Sequence, residues 1–361
     1  MKCILHIGAE KTGSTSIQKY LFLNDKNLRQ QNILGPCILG KEHNREIVAA
    51  FTLSERLDDY AVRHELTTKE DVDSRIEEII DATRDVFNSI DPNTDAVIIS
   101  SEHFHSRLKD PVAMRSLKTF LDEFFSEIEI LVYVRRQDQM AVSLYSTAIK
   151  AGHMPKDFFP EMPLQKGIYD YYDFSDLTER WATVFGRESM RVRVFDRASF
   201  CNNDLLEDFS EAAGIISDGF EWPKKENPSV TVEFLEFYKA SNALFREFPK
   251  IKGTPKNLMR SLIKRYVGRG RLNVLLPSRE KAVDFFSLFN ETNNVLSEKW
   301  FDGDKIFNDD FSRYPDIESK ALDISFQQKT LLRFIYAYLA TILFRQKFSN
   351  KIAVYFNKKE S

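Results

Sequence analysis

The stretch Ile4-Leu5-His6-Ile7-Gly8-Ala9-Glu10-Lys11-Thr12-Gly13-Ser14-Thr15-Ser16 decides the fold. Its apolar start reads as a strand, Gly8 to Gly13 as a turn, and the hydroxyl-rich end as the start of a helix. Such a turn aims several backbone N–H groups and the positive helix end at one point, which suits a phosphate. Thr12, Ser14, Thr15 and Ser16 add side-chain donors, and Gly13 permits a backbone approach that a Cβ would block. Gly8 and Gly13 have the spacing of the G-x4-G-K-[ST] loop of NTPases. Ser14, however, stands where that loop carries its lysine, and the lysine is found at position 11, inside the turn.

Outward from this stretch, short apolar runs alternate with amphipathic helical patterns. Strands are expected at Cys3 to Ile7, Ala96 to Ser100, Ile128 to Val134 and Met190 to Phe195. Helices are expected around Ile17 to Leu21, Val72 to Phe87, Leu117 to Phe125 and Met140 to Ala148. This order predicts an α/β fold of P-loop type: a mostly parallel sheet flanked by helices over residues 1–200. Beyond it, 201–361 reads as a mainly helical extension, with Phe234 to Phe245 and Ala282 to Phe289 as its clearest helical patterns.

Among the 361 residues, 43% are hydrophobic, with 30 Phe, 13 Tyr and 3 Trp, which demands a packed interior and excludes disorder as the main state. Lys plus Arg is 51 against 54 Asp plus Glu, a formal charge of −3, and nucleic-acid binding is not expected from so even a balance. Cys3, Cys37 and Cys201 lie far apart, which excludes a disulfide scaffold and a Cys-rich zinc site. The first apolar run is broken by His6, Glu10 and Lys11 and does not read as a signal peptide, so a cytoplasmic protein is expected. The run Leu331 to Phe344 contains Arg333 and is too short to span a bilayer. Core packing is the expected role there; peripheral contact of 326–361 with an anionic membrane, through Lys329, Arg345, Lys347 and Lys351, is the alternative.

Two further strand ends carry chemistry. Leu131-Val132-Tyr133-Val134-Arg135-Arg136 ends in arginine and leads to Ser143 on the next helix, a charge and a hydroxyl that can grip a phosphate. The role of Arg136 is open, a solvated surface arginine being one reading. Val97-Ile98-Ile99-Ser100-Ser101-Glu102-His103-Phe104-His105 brings a carboxylate to the carboxyl edge of the sheet, where open α/β folds bind ligands. An NTPase would want a metal-binding Asp at such a strand end, and none occurs between 97 and 105.

Lys11-Thr12-Gly13-Ser14-Thr15 resembles the 5′-phosphosulfate loop of sulfotransferases, enzymes that use 3′-phosphoadenosine 5′-phosphosulfate (PAPS). HIGAEKTGSTSIQ is similar to bacterial, carbohydrate-type members in particular. The resemblance implies that Lys11 stabilises the bridging oxygen of the donor, that residues 12–16 bind its 5′ end, and that Arg135 and Ser143 bind its 3′-phosphate. It implies a catalytic base on the third strand segment, Glu102, with His103 and His105 as alternatives. Phe195 falls where the family often keeps an aromatic residue near adenine. Ser16 departs from the Trp of many cytosolic small-molecule members.

Asn227-Pro228-Ser229-Val230-Thr231-Val232-Glu233 and Asn294 to Phe301 extend the resemblance, and Lys252-Gly253 or Gly268 to Arg271 are candidate closing loops. The implied reaction moves a sulfuryl group from PAPS to a hydroxyl, or an amine, of a glycan, releases PAP and needs no metal. The alternatives are a P-loop nucleotide kinase or NTPase, and a non-catalytic glycan- or nucleotide-binding module.

Overall fold

In the computed structural model, five parallel strands form one sheet: β1 (Lys2–His6), β2 (Ile33–Leu34), β3 (Ala96–Ser100), β4 (Glu127–Val134) and β5 (Met190–Val194), in the order β2-β3-β1-β4-β5. The structure describes residues 1–35, 44–54, 57–160, 166–224, 232–247, 275–318 and 335. β1 pairs with β3 from Lys2↔Ala96 to His6↔Ser100 and with β4 from Lys2↔Glu127 to His6↔Leu131. The central strands are apolar on both faces because helices cover both, as a parallel sheet requires. The expected α/β architecture is therefore present. Only β2, two residues long at the sheet edge, has no signal in the sequence.

The helices are α1 (Ser14–Leu23), α2 (Asp25–Gln30), α3 (Arg45–Ala50), α4 (Asp59–Arg63), α5 (Lys69–Asn88), α6 (His103–Arg107) and α7 (Pro111–Asp122). They continue as α8 (Gln137–Ala151), α9 (Lys166–Tyr172), α10 (Phe174–Phe185), α11 (Leu205–Ala212), α12 (Val232–Glu247), α13 (Arg279–Ser287) and α14 (Asn290–Trp300). Local chemistry sets several starts. Thr68 and Asp71 form a capping box on α5, and Asp110 caps α7 ahead of Pro111. Asp173 and Asp204 cap α10 and α11 in the same way.

The chain forms two compact units: Met1–Met140, Glu161–Lys224 and Phe285–Asp309 make the first, and Ala141–Pro160, Lys225–Asp284 and Asp310–Ser361 the second. α11 and α14 belong to the first unit, with the sheet. In the first unit, Ile4, Ile17, Tyr20, Leu21, Ile98, Tyr133 and Phe209 pack together on one side of the sheet. The second has its own core, in which Tyr145, Ile149, Phe158, Leu235, Tyr238 and Tyr314 meet.

Arg136, whose role the sequence leaves open, is not a solvated arginine. It is buried, ion-paired to Asp138 at 2.8 Å, and donates to the Asn308 carbonyl at 3.0 Å and its Oδ1 at 2.9 Å. Its guanidinium also lies over the Phe286 ring. This arginine fastens the end of β4 to the segment after α14.

Among the described residues, no helix is long and apolar enough to cross a membrane. Cys37, positions 227–231 of the Asn227 motif, Lys252, Gly253, Gly268 to Arg271 and the tail 326–361 apart from residue 335 lie outside the described residues.

Candidate functional site

The strand order decides where a ligand can sit. From β1 the chain crosses toward β2 and β3, whereas from β4 it crosses toward β5. The crossovers diverge between β1 and β4, which opens a crevice at their carboxyl ends. The loop after β1 and Arg135 after β4 both lie at that edge.

The loop is held in a specific shape. Lys11 has φ +69° and Gly13 φ +81°, both in the left-handed region. Thr12 Oγ1 donates to the Ala9 carbonyl at 2.5 Å, and Arg135 Nη1 donates to the Lys11 carbonyl at 2.6 Å. These contacts offset the cost, about 1–3 kcal/mol, of placing a non-glycine residue there. Gly13 precedes α1, and its carbonyl accepts from Ser16 N at 2.8 Å and Ile17 N at 3.1 Å. A Cβ on Gly13 would run into Leu205 Cδ2 and crowd Phe195 Cε2 at 3.3 Å.

No side chain caps α1, and its first turn holds no acidic residue, so its leading N–H groups and positive dipole end suit an anion. Ser14 is buried at this end, while Thr15 and Ser16 are exposed.

Arg135 also stacks its guanidinium 5.1 Å from the centre of the Phe195 ring, which is braced edge-on by Phe200. Lys11 and Gly13, Arg135, and Phe195 thus come together from three separate stretches of chain. Ser143 lies half-buried on α8, in the second unit, its carbonyl accepting from Thr147 Oγ1.

On the other side of β1, Glu102 sits just past β3, at the start of α6. Gln18 Nε2, from α1, donates to Glu102 Oε2 at 3.0 Å. The same nitrogen lies 3.5 Å from both the carbonyl and Oγ of Ser100, and Ser100 Oγ is 2.8 Å from His6 Nδ1. Burial pushes the His6 pKa down to about 4 against the opposing pull of the Glu102 charge, so its ring is neutral at pH 7.

The two alternative bases have different surroundings. His105 is buried; Nδ1 accepts from the Glu10 N–H at 3.3 Å and Nε2 donates to the Tyr171 carbonyl at 3.1 Å. Both ring nitrogens are engaged, and burial lowers its pKa to about 3. His105 therefore pins the residue before Lys11 to α9. His103 is half-buried and its pKa is lowered by burial, with Arg45 and Arg107 adding to the effect and Glu102 and Glu10 opposing it.

Sequence reasoning passed over His6 and Gln18. A signal for Gln18 exists: it lies between Ile17 and Leu21 on the buried face of α1, and a buried amide needs a partner. Among the described residues, no group of three or more His, Cys, Asp or Glu is placed to hold a metal ion.

No protein-family model matches the chain. A protein of Archaeoglobus fulgidus described as uncharacterized is 24% identical over 206 residues, 57% of this chain. The match spans 54% of that relative, about half its length. Among solved structures, the chain is similar to a sulfotransferase from Alicyclobacillus acidocaldarius, with 17% identity and a TM-score of 0.41 over 70% of this chain and 98% of that one. It is also similar to the sulfotransferase domain from the curacin biosynthetic pathway, with 10% identity and a TM-score of 0.36 over 76% and 98%. The strand order and registers, rather than these likenesses, establish the parallel α/β sheet.

Proposed function

We propose that the chain is a PAPS-dependent sulfotransferase acting on a hydroxyl, or an amine, of a carbohydrate acceptor. The observation that carries this reading is the bond from Arg135 to the Lys11 carbonyl, which joins the phosphate turn to the end of β4 at the crevice of the sheet. A donor with phosphate at both its 5′ and 3′ positions asks for two anion-binding elements at one edge, and these residues supply them. The 5′ end is assigned to Lys11, Thr12, Gly13, Ser14, Thr15 and Ser16, the 3′-phosphate to Arg135, and the adenine side to Phe195.

In the reaction, the acceptor oxygen forms a bond to sulfur as the bond from sulfur to the bridging oxygen breaks, and that oxygen keeps the electron pair in PAP. The negative charge grows where Lys11 and the first N–H groups of α1 can stabilise it. The acceptor proton passes to the Glu102 carboxylate, which Gln18 already holds at the sheet edge. The reaction is positioned and electrostatically assisted; the protein forms no covalent intermediate.

Incubation with PAPS labelled in the sulfuryl group and a panel of glycans, followed by mass spectrometry, tests this reading. Transfer of label to a glycan supports it, whereas magnesium-dependent turnover of ATP with no transfer from PAPS restores the kinase or NTPase alternative. Lys11→Ala should reduce turnover far more than it reduces PAP affinity, because the ammonium acts on charge that develops during transfer. A Lys11→Ala protein with normal turnover would leave the loop as a binding site only.

A further inference from the structure

Resting on the reading of Glu102 as the base, we propose that Gln18 is a positioning residue that holds the Glu102 carboxylate toward the acceptor, backed by a buried polar chain through Ser100 to His6. Gln18 is 5% exposed, and Ser100 and His6 are fully buried. An amide in such a place must be paired, and its nitrogen has Glu102 Oε2 at 3.0 Å and Ser100 at 3.5 Å. Ser100 is itself fixed by His6 Nδ1 at 2.8 Å. The neutral state of His6 matters, because a charged ring would attract the carboxylate rather than support its amide partner. These polar contacts thus join α1, β3 and β1, and the loop that holds Lys11 lies between β1 and α1.

The step it serves is the loss of the acceptor proton: the O–H bond breaks, its electron pair joins the new bond to sulfur, and the proton binds a Glu102 oxygen. Gln18 donates to the other oxygen, which selects the rotamer and favours the ionised base. The charge of this carboxyl acts on His6 from β1 and on His103 from α6. Arg45 of α3, Arg107 of α6 and Glu10 of the loop act on His103 in turn.

The test uses PAPS alone, with water as the acceptor and PAP release as the readout, in the full chain. Gln18→Met keeps the length and removes the donor. The rate at saturating PAPS should fall about 10- to 100-fold, the size of a lost hydrogen bond to a charged group. Half-saturation by PAPS and calorimetric affinity for PAP should stay within about two-fold, and the acid limb of the pH–rate profile should move to higher pH. A Gln18→Met protein with the wild-type rate and profile overturns the proposal.

If that variant does not fold, Gln18→Glu replaces it. A second carboxylate facing Glu102 should move the acid limb further up, and an unmoved limb overturns the proposal equally. Glu102→Gln separates the two claims: if it keeps the wild-type rate, the base itself is wrong. If it is inactive while Gln18→Met is normal, only the role of Gln18 fails.

Discussion

Lys11 and Gly13 show how much one turn asks of single residues. Gly13 has a positive φ, and Leu205 and Phe195 occupy the space beside it. Gly13→Ala should therefore destabilise the protein by about 1–3 kcal/mol, read as a lowered urea midpoint at unchanged slope, and should weaken PAP binding as the loop shifts. A normal midpoint with normal PAP affinity would show that the turn tolerates a side chain. This glycine was legible because its chemistry is local: a strand, a turn and a helix start are neighbours in sequence. The partners of Gln18 and His6 were not, since Ser100 and Glu102 lie more than 80 positions away and only strand pairing brings them close. Glu102→Gln tests the base directly: turnover should fall about 10²–10⁴-fold with PAP binding retained. His103→Ala and His105→Ala should each do much less; a histidine variant as impaired as expected for Glu102→Gln, beside an active Glu102→Gln, would transfer the role.

Between elements, the link from β4 to α8 depends on a buried charge pair. The side chains of Arg136 and Asp138 are 2% and 0% exposed, so removing one partner strands the other in a region that water cannot reach. Asp138→Ala should cost about 3–5 kcal/mol. The i, i+4 pair between Asp25 and Arg29 lies at the surface, and Arg29→Ala should cost no more than about 0.5 kcal/mol. Denaturant unfolding of the two variants checks the contrast; equal losses would contradict it. The long apolar strands were visible because both faces of a parallel sheet are covered. The two-residue β2 was invisible because pairing with β3, not its own pattern, defines it. The role of Arg136 stayed open for a related reason: its neighbours Asn308 and Phe286 arrive from far along the chain.

At the scale of the whole molecule, two buried neutral histidines make stability depend on pH. The pKa of His6 is lowered to about 4 and that of His105 to about 3, whereas a histidine in the unfolded chain takes up its proton near pH 6.5. Between those values the unfolded state binds more protons, so the contribution is fully present above about pH 6.5 and is lost as pH falls toward the folded values. Each group adds a slope of up to about 1.4 kcal/mol per pH unit. Chemical denaturation at pH 7.5, 6 and 5 should show falling stability, and His105→Asn should reduce the slope. Constant stability across that range would mean that these rings are not buried and neutral. Each of the two units is assembled from segments that other segments interrupt, an arrangement that a sequence read in order does not display.

The central claim, that the edge between β1 and β4 is built for a nucleotide with phosphate at both ends, is tested most directly by calorimetry with PAP and AMP, which needs no acceptor. PAP should bind about ten- to over a hundred-fold more tightly than AMP, the value of a charge-assisted contact to the 3′-phosphate, and Arg135→Ala should remove most of that difference. Equal affinity of the wild-type protein for PAP and AMP would contradict the claim.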